Sequence, residues 1–234
     1  MAKITTVEEA LKAVRKKGEA LEKLPVNLKT AEVCLEAVRQ DGSALEYMPD
    51  ELKTAELCLE AVRQYAWALE FVPENLKTQE ICLEAVKQNG MTLEIVPENQ
   101  KTAEIYLEVV KNGSFSFNDV PETHKTPEVC LEAVKRSGWD LQYVPEELKT
   151  AEICLEAVKQ SGNALEFVPK NLWTAEICLE AIKYNLIRMA YTTDFRGDRD
   201  STIEKLRAEN ASIFEAMPEE MREEVHRRLE SEDL

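Results

Sequence analysis

Seven prolines, Pro25, Pro49, Pro73, Pro97, Pro121, Pro145 and Pro169, stand 24 residues apart, and the threonines from Thr6 to Thr174 keep the same interval. A fixed period of this size, free of insertions, restricts the chain to architectures whose unit is one supersecondary element stacked on its neighbours. The contents of the unit then decide which architecture it is.

In "TAEVCLEAVRQDG", Thr30 is placed to cap a helix by accepting a bond from an amide of the first turn. Glu32 suits the positive helix start, and Gly42 falls where a chain leaving a helix takes a positive φ. Ala31, Cys34, Leu35 and Val38 follow the spacing of an apolar helical stripe, which Val33 and Ala37 widen. Glu32, Glu36, Arg39 and Gln40 form the opposite, solvated face.

The second half, "SALEYMPDELK", is too short for a long helix. Ala44, Leu45 and Met48 fit one helical turn, Met48 is pushed out of the α region by the next residue, and Pro49 opens another short turn with Leu52 pointing inward. No segment alternates like a strand. The expected fold is all-α: a right-handed-type α-solenoid of 24-residue repeats, each a three-turn helix plus short α/3-10 turns.

The ends read as caps. Over residues 6–29 six Lys/Arg outweigh four Asp/Glu, with Lys12 and Lys23 at places that later hold Glu36 and Tyr47. An outer face that meets water should look like this. After Ile182 the period fades, with Met189 and Tyr191 still in phase, and "IFEAMPEEMREEVHRRLE" precedes an amphipathic last helix. The expected organisation is residues 1–29 as an N-terminal capping repeat, 30–182 as the array and 183–234 as a degenerate C-terminal cap.

Units such as "LEAVKQNGMTLEIVPENQKTAEI" resemble a bacterial 24-residue repeat family of unknown function, whose motif is close to AVxxxGxALxxVPxxLK. The resemblance covers about residues 6–182. More distantly, the units are similar to the leucine-rich-repeat variant solenoids, which alternate α and 3-10 helices. These resemblances imply a helical array and supply no catalytic residue. The variant solenoids can carry an iron–sulfur segment with clustered cysteines; this chain has no such cluster, so that cofactor is not carried over.

Cys34, Cys58, Cys82, Cys130, Cys154 and Cys178 all fall at one repeat position, where Tyr106 fills the missing slot. Equivalent atoms of stacked helices lie about 8–10 Å apart. A disulfide needs Cα atoms within about 7 Å, and zinc needs sulfurs converging at about 2.3 Å. The thiols are therefore expected as buried small apolar groups, reduced and unbridged, which favours a cytoplasmic setting. No metal or cofactor is expected.

His124 and His226 have no nucleophile motif around them, and the chain has no HExxH or phosphate loop. Rows such as Glu36, Glu60 and Glu84 could hold calcium or a basic peptide, but Arg39 and Lys87, three residues after Glu36 and Glu84, suit local ion pairs.

A formal net charge of -16 disfavours nucleic acid and anionic lipid. No apolar run approaches the ~20 residues of a membrane span. The start, "MAKITTVEEALKAVRKKG", lacks the apolar region of a secretory signal.

If constant positions build the scaffold, variable ones carry what is individual. The place after the helix-ending glycine reads Glu19, Ser43, Trp67, Met91, Phe115, Trp139 and Asn163. Trp67, Met91, Phe115 and Trp139 are thus expected to form a row in the middle of the array. That row is either a partner surface, since such side chains concentrate at interface centres, or a set that folds back over the loops. The polar residues at both ends favour the partner surface. "VVKNGSFSFNDVPETHKTPEV" is the least regular unit.

The function expected is a non-enzymatic protein- or peptide-binding repeat scaffold. The alternative is an acidic inhibitor or immunity-type protein that occupies a basic site on a partner enzyme or toxin. An enzyme with a cleft near His124 is a third class.

Overall fold

The computed structural model describes the backbone of residues 4–191 and 199–231, and the side chains of that set apart from 189–191, 199–204 and 206. The in-phase positions Met189 and Tyr191 lie outside the described side chains.

The helices are α1 (Val7–Lys16), α2 (Ala31–Gln40), α3 (Ala55–Gln64), α4 (Gln79–Gln88), α5 (Ala103–Asn112), α6 (Pro127–Arg136), α7 (Ala151–Gln160), α8 (Ala175–Tyr191), α9 (Arg199–Ala216) and α10 (Glu219–Ser231). Two compact units divide them, Met1–Ser116 with α1–α5 and Phe117–Leu234 with α6–α10. The described residues are all-α, built of repeated helix-plus-3-10 units packed in sequence.

Each repeat helix starts at its threonine. Thr6, Thr30, Thr54, Thr78, Thr102, Thr126, Thr150 and Thr174 each accept a hydrogen bond from the amide three residues on, at 3.2–3.4 Å. Such a cap contributes about 1 kcal/mol.

The helix exit corrects the expected role of glycine. α2 ends at Asp41 in extended backbone (φ −156°, ψ 112°), and among the described glycines only Gly113 has a positive φ. Glycine is needed because the next repeat comes close. A Cβ on Gly18 would lie 2.7 Å from the Ala37 carbonyl oxygen, and Gly42 and Gly138 meet Ala61 and Ala157 in the same way. Ala66 holds this place in the third repeat and is buried.

After the exit comes a six-residue 3-10 helix, as in Gly42–Tyr47, and then a three-residue one, as in Asp50–Leu52. Pro49 (φ −58°) stands just before the second turn, one residue earlier than expected. Leu52 is half-buried.

The buried face of α2 is Val33, Cys34, Ala37 and Val38; Ala31 is exposed and Leu35 half-buried. The expected stripe was thus centred one side too far. α2 is covered by the repeats before and after it, so Val33 and Ala37 form its middle. The 3-10 segments add Ala44, Leu45 and Met48, and burial of a leucine such as Leu45 contributes about 2–3 kcal/mol.

A ladder of lysines ties one repeat to the next at two junctions within each unit. The Nζ of Lys29 donates to the Tyr47 carbonyl at 2.7 Å and that of Lys53 to Phe71 at 2.9 Å. In the second unit Lys125 reaches Tyr143 at 2.9 Å and Lys149 reaches Phe167 at 3.2 Å. The side chains of Lys53, Lys125 and Lys149 are buried, and each pairs with an exposed carboxylate three residues earlier, as Lys53 does with Asp50 at 2.7 Å. The carbonyl bond matters more, because a charge-assisted bond to a buried acceptor outweighs a half-exposed pair.

A second ladder runs backward. The amide groups of Gln88 and Asn112 donate to Val62 and Val86 at 2.6 Å, satisfying carbonyls that a helix end leaves open.

The glutamate rows pair partly as expected. Glu108–Lys111, Glu132–Lys135 and Glu180–Lys183 are local. Glu36 and Glu84 instead take Arg15 and Arg63 of the preceding repeat, at 3.2 and 4.0 Å, because helix-to-helix spacing brings these arginines within reach.

The second unit closes with α8–α10. No glycine or proline stops α8 after ten residues, so it runs to seventeen, across the expected array boundary at residue 182. Cys178, Leu179, Ile182, Met217 and Val225 form its core, with Trp173, Ile213 and Phe214 packed against them.

Candidate functional site

Trp67 and Met91 occupy equivalent places, the second residue of their six-residue 3-10 helices. Trp67 is half-buried, whereas Met91 is 54% exposed and its amide is held by Asn89 Oδ1 at 3.0 Å. Phe115 leaves the pattern. α5 ends in left-handed Gly113 (φ 75°, ψ 12°), the following 3-10 helix shrinks to Phe117–Asp119, and the half-buried Phe115 ring lies 6.4 Å from Tyr106. In the second unit Trp139 is 43% exposed, its ring edge-on to Phe167 at 5.7 Å. Of the four, Met91 and Trp139 present the most apolar surface to water.

Asp140, beside Trp139, stands where other repeats have Ala44 or Ala68. Burial pushes its carboxyl above the usual range, and the Arg136 guanidinium offsets part of that.

Trp139 also borders a cleft within the second unit, a cavity of about 470 Å³ between the last repeats and α9. Its apolar wall includes Trp173 and Ile213. The Trp173 indole donates to the Val168 carbonyl at 3.2 Å, and the Lys170 ammonium sits 3.3 Å over its ring. Charged groups at the rim are Glu166, Lys170, Lys205 and Glu209. Asn185, only 3% exposed, also lines the cleft. Its Nδ2 donates to Asn210 Oδ1 at 2.9 Å, while its own Oδ1 has no protein partner. Leaving such an acceptor unmet costs about 1–3 kcal/mol.

The six thiols are buried and unbridged, and burial pushes each up to about 11. They are poor nucleophiles and poor ligands at neutral pH. His124 is half-buried at the end of the short turn Glu122–His124; His226 is exposed and lies 3.2 Å from Glu230. Among the described residues no three His, Cys, Asp or Glu side chains converge as a metal site, and no helix is long and apolar enough to cross a membrane.

Sequence reasoning passed over Trp173 and Asn185. The signal for Trp173 was present, since it stands 24 residues after Lys149, where the ladder calls for lysine. Asn185 gave none, because one asparagine in a fading period looks like any solvated residue.

Residues 8–53, 55–101, 102–149, 126–173 and 152–195 match the family model described as Domain of unknown function (DUF4116). No curated protein and no solved structure matches the chain.

Proposed function

The chain belongs to the DUF4116 family, and we propose that it is a non-enzymatic scaffold that binds another protein or a peptide. The observation that carries this reading is the exposure of Met91 and Trp139, 54% and 43%, at a repeat position that holds Glu19, Ser43 or Asn163 elsewhere. The repeat does not need bulk there, and a large apolar group left in water is characteristic of an interface anchor.

The finer architecture belongs to the same proposal: a right-handed-type solenoid with residues 1–29 and 183–234 as its caps. The unbroken register from Thr6 to Thr174 and the basic first repeat support it. Buried thiols suit a cytoplasmic setting.

The test is affinity capture from the native cell with the intact chain and a Met91→Ala/Trp139→Ala double variant, followed by titration of the captured partner. Affinity should fall by about 1–4 kcal/mol with little change in stability. Equal affinity of the two forms would remove both residues from the interface.

A second reading, an acidic inhibitor seated on a basic site, is favoured by the net charge of -16. It requires partner affinity to weaken steeply with added salt, whereas an apolar interface is nearly indifferent to it.

A further inference from the structure

We propose that the cleft of the second unit binds a free α-amino acid with a large apolar or aromatic side chain. The cavity of about 470 Å³ suits a ligand of that size. Its rim charges, Glu166, Lys170, Lys205 and Glu209, cancel one another in a chain whose net charge is -16. A locally balanced pair of signs recognises a molecule that carries both.

Asn185 supplies the most specific element. It is nine-tenths buried, fixed on one side by Asn210, and its Oδ1 can only accept. An ammonium group donates to that oxygen, and Glu209 balances its charge. The carboxylate then turns to Lys170 or Lys205, with Lys170 already held over the Trp173 ring. The ligand side chain lies against the indoles of Trp139 and Trp173, the apolar wall of the same cleft. This assignment shares Trp139 with the partner-surface proposal and does not use Met91, which lies on the other unit.

The experiment is calorimetry and tryptophan emission with the full chain, using L-phenylalanine and L-leucine singly. N-acetyl-L-phenylalanine and L-phenylalanine amide, each lacking one charge, are the comparison ligands. At least one free amino acid should bind and shift the indole emission, and each blocked form should bind about tenfold or more weakly, as when a buried polar partner is lost. Asn185→Leu should weaken binding by about tenfold. If that variant does not fold, Glu209→Gln at the cleft rim decides, with an expected loss of about fivefold. Met91→Ala should bind as the unaltered chain does. The proposal is overturned if neither amino acid gives heat or an emission shift. Undiminished binding of the blocked forms, or of Glu209→Gln, overturns it equally.

Discussion

An interior repeat and the last one part company at the place of the recurring lysine. In the repeat that ends at Lys149, the lysine reaches forward to the Phe167 carbonyl of its successor. In the repeat that follows, the corresponding residue is Trp173, and what comes next is α8–α10 instead of another 3-10 turn. Lysine there would have no repeated carbonyl to meet. Trp173 turns its indole N–H back to Val168, within its own repeat, and gives its ring to the closing core. The recurring lysine is therefore a joint that presupposes a successor, and the tryptophan shows how the chain stops needing one.

The thiols test how far the two regions are alike, because Cys178 in the last repeat matches the interior five. Burial raises each thiol from its ordinary 9.0 to about 11. The unfolded chain thus ionises first as pH rises, so stability is full below about pH 9 and is lost as pH climbs towards 11. Each thiol that the fold keeps protonated over that range lowers stability by up to about 3 kcal/mol relative to neutral pH. Urea midpoints between pH 7 and 10.5 should show a steep fall. A Cys82→Val/Cys154→Val variant should lose about a third of the slope, as two of six groups. An unchanged slope would mean that other groups carry the alkaline transition.

The next largest effect separates the regions. Trp173→Ala should cost about 3 kcal/mol through lost packing against the α8–α10 core, read from chemical denaturation. Lys125→Ala should cost about 1–3 kcal/mol, because the Tyr143 carbonyl loses its donor. Its control is Lys135→Ala, whose side chain is 45% exposed and whose ammonium donates to Glu132. Equal losses at Lys125 and Lys135 would show that the lysine ladder is ordinary surface. Arg15→Ala should change stability least, by less than about 0.5 kcal/mol, since its side chain is 60% exposed in its pair with Glu36.

How much of this could be read from the sequence follows from the same contrast. The period placed the helices, their threonine caps and the cysteine ladder, because each is a local or periodic consequence of side-chain chemistry. The reason for Gly42 was misjudged, since the demand comes from the Ala61 carbonyl of another repeat and not from its own φ. Lysines such as Lys53 looked like solvated charge, and only packing shows that their stems are covered while their heads meet a carbonyl. The Trp67, Met91, Phe115 and Trp139 positions were visible as exceptions, but their exposure was not, and Phe115 left the set because Gly113 changed the helix exit. Asn185 became visible only when α9 was placed beside it.

The reach of the lysine bonds sets an expectation for how the chain acquires its structure in time. Lys29, Lys53, Lys125 and Lys149 each find their acceptor 18 residues ahead, and Gln88 and Asn112 theirs 26 residues behind. Every such loop is short, so closing it costs little chain entropy, and contacts this local go with fast folding. During synthesis a repeat is completed by the segment made directly after it. Order can then advance from one repeat to the next at the pace of elongation, without waiting for the distant end of the chain.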